Sequence, residues 1–323
     1  MEFLQRLFSK PPEILAEFEL EKTPEDIAVI HEVQELVDEM AAKYGGAPKQ
    51  LPLENIHLLK PGAVFELTQG KLRVGIHRSL SLRIGVEKRP SRIPFCGTLA
   101  HELFHAQGFK SFYIRPDGKG TLYRSGIQTV DQKDPSAELG DEKMYFSQLE
   151  EAIVTECARQ LVETLGQQGF FGEEEEAMRT LRNLANAHQR RLGWTQQQMQ
   201  EFAEEVKYVE DPIRALETIK VAYPSEEKRS AYAAGLIEGM KNRGAVEMKE
   251  RYFERKKFYR LLDELIEKSQ GAYTQRSEIF AEFAKAHFSG RYLPLARIVE
   301  GILGEGAFRR IANDFSETPG KKK

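Results

Sequence analysis

His101-Glu102-Leu103-Phe104-His105 decides how the rest of the chain is read, because it places two imidazoles and a carboxylate within one helical turn. Residues four apart on a helix share a face at roughly 5–6 Å, so His101 and His105 can direct two ring nitrogens at one metal ion. Glu102 sits about 100° round from His101, within reach of a water on that ion rather than of the ion itself. Catalytic zinc takes three protein ligands and leaves the fourth position to water, so the pair requires a third donor. A three-histidine pattern would place that donor at position 111, but the residue there is Ser111, although Gly108 fits the spacing.

A carboxylate on a second helix is the other standard solution. Leu149-Glu150-Glu151-Ala152-Ile153-Val154-Thr155-Glu156 supplies candidates within a helix expected from about Asp141 or Ser147 to Leu165, stopped by Gly166. Ser147-Gln148-Leu149-Glu150 has capping-box spacing, which would engage Glu150 with the helix end and leave Glu151 for the metal. Thr155, four residues beyond Glu151, offers a hydroxyl to support that ligand. Against this, Glu150 lies nearer the middle of the stripe Leu149, Ile153, Cys157 and Leu161, where an acid needs a reason to be buried. Glu151 is the preferred third ligand and Glu150 the alternative. His31, His57, His77, His188 and His287 have no partner at metal-ligand spacing and read as surface or satisfied core residues.

Upstream, Thr23-Pro24-Glu25-Asp26 starts an amphipathic helix carrying Ile27, Ile30, Leu36, Val37 and Met40, which Gly45-Gly46 ends. From about Asn55 to Glu87 short alternating runs read as a small sheet: Val64 to Leu67, Leu72 to His77 and Leu82 to Val86. The motif belongs to a helix from Ser91 to Gln107, with Gly108 expected to close it in a left-handed conformation. Phe112 to Arg115 and Thr121 to Arg124 flank Pro116-Asp117-Gly118 as a hairpin. Beyond Gly172 an acidic run, Glu173 to Glu176, reads as a solvated helix start and opens a succession of helices. The expected class is α+β: residues 1–172 form a sheet-containing unit with the motif helix and a ligand helix, and residues 173–323 an all-helical lobe.

Composition narrows the function. The 323 residues carry a formal net charge of -3, which gives no whole-chain basic surface for nucleic acid or anionic lipid. The basic residues of the helical region, among them Arg182, Arg190, Arg191, Lys241, Arg243, Lys256 and Lys257, are interleaved with acids. No apolar run approaches the ~20 residues that span a bilayer. The first residues, Met1 to Phe8, lack the pattern of a secretory signal, and two cysteines, Cys96 and Cys157, read as buried core residues of a reducing compartment. A cytoplasmic location is expected, with neither nucleic acid nor membrane as a partner.

With the five-residue motif followed by a helix carrying Glu-Glu-Ala-Ile-Val-Thr-Glu, the chain resembles the gluzincin branch of the zincin metallopeptidases, from about Thr23 to Leu165. The resemblance implies a zincin-like fold and a Zn2+ ion held by His101, His105 and Glu151. It also implies Glu102 as general base and a peptide or protein substrate whose amide bond is hydrolysed without a covalent intermediate. It further implies an edge strand that pairs with the substrate, Leu82 to Val86 in preference to Val74 to His77, and an oxyanion donor drawn from Tyr113, Tyr123, Arg124 and His77. Glu150 stands where thermolysin-like members have Asn, and Thr155 where they have an acid. Peptide deformylases share the five-residue motif, but their cysteine-containing motif is not found upstream. The alternative function is a catalytically silent zincin-fold scaffold or interaction protein.

Overall fold

The first helix begins where its sequence provides its own ends. In the computed structural model, which describes residues 17–67, 75–78, 83–114, 120–130, 144–196, 212–243 and 247–316, helix α1 spans Pro24–Lys43. Thr23 accepts from the Asp26 amide while the Asp26 carboxylate accepts from the Thr23 amide, so two otherwise unpaired donors are satisfied reciprocally. Val29, Ile30, Val33, Val37 and Ala41 form its buried face.

Strand β1 (Ile56–Leu59) leads through a short helix α2 (Ala63–Leu67) to strands β2 (Gly75–Arg78) and β3 (Arg83–Glu87). The expected strand from Val64 to Leu67 is therefore a helical turn. Its start is fixed from outside, because Glu87 Oε1 accepts the Val64 amide at 2.8 Å, while Gly62 turns the chain at φ +86°. The sheet order is β1-β3-β2, with β1 parallel and β2 antiparallel to β3. Within the expected edge Leu82 to Val86, the described residues 83–86 are thus not an edge: Ile84 pairs with Ile56 on one side and His77 on the other. The preferred substrate strand has no free hydrogen-bonding side, and among the described residues β2 is the outer strand beside it.

The motif lies on helix α3 (Arg92–Gln107), which is buried on nearly every side. Ser91 makes no side-chain cap; Glu174 does the work instead, accepting from Ser91 Oγ at 2.6 Å and from the Arg92 amide at 2.9 and 3.0 Å. A carboxylate suits the positive end of the helix dipole. Glu174 belongs to the acidic run expected to be solvated, and it is buried because another helix needs it. At the other end of α3, Lys110 Nζ donates to the His105 carbonyl at 2.6 Å and Lys49 Nζ to those of Gln107 and Gly108. Gly108 has φ −53°, not the left-handed conformation expected. Its need is space, since a Cβ there would lie 2.9 Å from His287 Cε1.

Strands β4 (Lys110–Ile114), β5 (Gly120–Ser125), β6 (Gln128–Val130) and β7 (Met144–Tyr145) form a second, antiparallel sheet in sequence order. Helix α4 (Ser147–Gln167) follows. Phe146 precedes it in a left-handed conformation at φ 60°, with no side-chain cap, so the capping box expected at Ser147 does not form. The helices α5 (Glu173–Arg191), α6 (Pro212–Ala222), α7 (Glu226–Arg243), α8 (Glu247–Lys268), α9 (Arg276–Ser289), α10 (Tyr292–Leu303) and α11 (Ala307–Asp314) complete an α+β architecture.

One apolar core runs across Gly172, joining Val33, Leu58, Leu99 and Ile153 to Leu181, Phe258, Phe283 and Phe315. Helices α8 and α9 pack against α4, while α5, α6 and α7 pack against one another. Among the described residues, no helix is long and apolar enough to cross a membrane.

Candidate metal centre

Packing of α3 against α4 brings the motif to the downstream acids. His101 Nε2 and His105 Nε2 are 3.2 Å apart, His101 Nε2 is 3.3 Å from Glu151 Oε2, and His105 Nε2 is 3.4 Å from Glu151 Oε1. The two contacts to Glu151 run to different oxygens of its carboxylate; with one ligand atom taken from each residue, the three lie within 4.8 Å of one another, a spacing that could hold a metal ion. The donor set of two imidazoles and one carboxylate suits zinc. His101 is buried, whereas Glu151 keeps about a third of its side chain exposed, at 36%. Solvent therefore reaches the group on the side of the carboxylate.

The electrostatics favour a cation. Burial alone would lower the affinity of His105 for a proton, but Glu151, Glu150 and Glu102 outweigh it and push the imidazole pKa up to about 10. Burial likewise opposes ionisation of Glu151, yet His105 and His101 hold its carboxyl well below the usual range. Of these carboxylates, Glu151 stands on the Nε2 side, where its charge would also attract a metal ion. Glu102 is itself buried, one residue from His101 on the same helix.

Glu150 closes no capping box, and it lies on the other side of His105 from Glu151. Its side chain turns behind His105, where Oε1 lies 3.6 Å from His105 Nδ1 and Oε2 accepts the Ile127 amide at 2.9 Å. Oε2 is also 2.9 Å from Nδ1 of His287, a fully buried residue of α9. Burial would raise the Glu150 pKa, but His287 and His105 more than offset it and hold the acid below the usual carboxylate range. The acid in the apolar stripe thus finds its reason in a histidine 137 residues away. Both residues carried a signal in the sequence, since His287 too sits in an apolar stripe, with Phe280, Phe283 and Ala284 on its own helix.

The other residues singled out in the sequence meet different outcomes. The Thr155 hydroxyl is buried without a hydrogen-bond partner and does not support Glu151. Arg124 is committed elsewhere: its guanidinium lies 3.2 Å over the Tyr292 ring and donates to the Gly126 and Gly290 carbonyls at 3.1 and 2.7 Å. Tyr123 is exposed, and the side chains of His77 and Tyr113 lie outside the described residues. Cys96 and Cys157 are buried free thiols, and burial pushes the Cys96 pKa up to about 12. Comparison of the chain with protein-family models, with curated proteins and with solved structures finds no match.

Proposed function

We propose that the chain is a zinc-dependent metallopeptidase of the gluzincin kind, with His101, His105 and Glu151 as metal ligands and Glu102 as general base. The observation that carries this reading is the convergence of the three donors, one ligand atom of each within 4.8 Å of the others, beside a buried glutamate on the motif helix. Zinc bound there would polarise a scissile carbonyl and make a water molecule acidic enough to attack at neutral pH.

Glu102 then accepts the proton of the attacking water as the carbon–oxygen bond forms. It delivers that proton to the departing amide nitrogen as the carbon–nitrogen bond breaks, giving a carboxylate and an amine. Strand β2 takes the place of Leu82 to Val86 as the edge on which an extended peptide would align, its outer backbone groups pairing with the substrate.

Two measurements test the reading. Purified protein should contain one equivalent of zinc, lost on His105→Ala, and should cleave members of a random peptide library in a way that chelators abolish. Absence of metal from the unmodified protein would overturn the reading. A metal-loaded chain with no cleavage of any peptide would transfer it to the silent scaffold.

A further inference from the structure

The rear of the candidate metal centre is built from parts remote in sequence. His287 Nδ1 meets Glu150 Oε2 at 2.9 Å, and its Nε2 lies 3.3 Å from the carbonyl oxygen of Phe104, the residue preceding His105. Both residues are almost without exposure, His287 at 0% and Glu150 at 1%. Two glycines leave room for the pair. A Cβ on Gly126 would lie within 2.4 Å of both Glu150 carboxylate oxygens and of His287 Nδ1, and one on Gly108 would lie 2.9 Å from His287 Cε1. Gly126 also has φ +56°, a conformation that L side chains rarely adopt.

What this arrangement does follows from the two nitrogens of His105. Nε2 faces His101 and Glu151, while Nδ1 faces Glu150. The contact to Nδ1 is 3.6 Å, longer than a hydrogen bond, so Glu150 Oε1 acts on it through its charge: a buried carboxylate there favours the tautomer with its proton on Nδ1 and leaves the Nε2 lone pair toward the other two ligands. Glu150 can hold that place only if its second oxygen is fixed, which the Ile127 amide and His287 accomplish together.

We infer that His287 is a positioning residue for the metal centre: helix α9 sets, through Glu150, the orientation of the ligand His105. The inference rests on the metal reading above and adds to it that the helical region beyond Gly172 completes the site. Lys110, the nearby cation, is spent on the His105 carbonyl and on Ser125.

The test uses full-length protein titrated with Co2+, whose visible absorption reports coordination, followed by competition with Zn2+ and a chromophoric chelator. His287→Ala should weaken metal binding by ~10- to 100-fold, the range for loss of a group that orients a ligand. The decisive comparison is between His287→Asn and His287→Gln. Asn places its amide near the Nδ1 position and can still donate to Glu150, whereas Gln is the better filler of the volume but places its amide near Nε2. Positioning through Glu150 predicts that Asn retains most of the affinity and an unaltered Co2+ spectrum, while Gln behaves as Ala does. A role confined to packing predicts the reverse order and would overturn the inference. Thermal unfolding of the metal-free variants checks folding, and the Asn and Gln pair keeps the test decisive where Ala does not fold. No Co2+ spectrum from the unmodified chain overturns the metal reading and the inference with it. Equal metal binding by unmodified, Ala and Gln proteins overturns the inference alone.

Discussion

The two sides of His105 differ in how the chain builds them. On the Nε2 side stand His101 and Glu151, delivered by two helices that pack directly and separated by no more than 50 residues of sequence, with the carboxylate partly open to solvent. On the Nδ1 side stand Glu150, His287, Gly126 and Gly108, closed to solvent and drawn from α4, α9 and the segments on either side of the β4–β5 hairpin. A site that must exchange water and substrate needs one open side, while the group that orients a ligand works best where nothing competes for it. Glu150 and Glu151 are adjacent, yet the helix turns them to opposite sides of one imidazole.

The sharpest way to break this contrast is at the open side. Glu102→Gln should retain metal and lower peptidase turnover by ~10²- to 10⁴-fold, the usual contribution of a general base. Metal content and turnover measured on the same sample would separate the two effects.

Next comes the pair of neighbours. Glu151→Gln should weaken zinc binding more than Glu150→Gln, for which ~10- to 100-fold is expected, because the first removes a ligand and the second only what orients one. Chelator competition on both variants measures the order, and equal losses would erase the distinction between the two sides.

A purely structural strike at the closed side is Gly126→Ala. The added methyl would collide with Glu150 and His287 at a positive φ, so a loss of about 1–3 kcal/mol in unfolding free energy is expected together with weaker metal binding. Urea denaturation with and without zinc reads both.

The smallest effect should come from an acid of α4 outside either side. Arg159, Tyr259 and Gln160 hold Glu156 below its ordinary pKa although burial opposes them. Its folded pKa is lower than its unfolded value, so the stability it contributes is fully present above the unfolded pKa and lost as pH falls through the folded one. Glu156→Gln should flatten the acid side of a plot of Tm against pH and leave zinc affinity unchanged.

The open side was legible in the sequence because its geometry is local. Four-residue spacing gives the histidine pair, and a downstream helix carrying acids gives the third donor. The closed side was not, because no periodicity links Glu150 to a histidine 137 residues later; only the presence of a polar residue in each of two apolar stripes hinted at the pair. Neither the capping box nor the Thr155 bond that would distinguish Glu151 from Glu150 in the sequence forms. The same limit explains the sheet. Val64 to Leu67 alternates like a strand, but Glu87 captures its first amide and turns it into a helix, and strand order depends on pairings that alternation alone does not specify.

The cap that Glu174 places on α3 has a consequence in the order of synthesis. The first turn of the motif helix is finished by a side chain made 82 residues after Arg92, and Glu150 is paired by one made later still. When His101, His105 and Glu151 have been synthesised, neither the residue that caps the front of α3 nor the one that pairs with Glu150 on α4 has yet been made. Domains generally fold as units as they leave the ribosome. Here the residues that complete the surroundings of the candidate metal site include ones on helices made long after the proposed ligands.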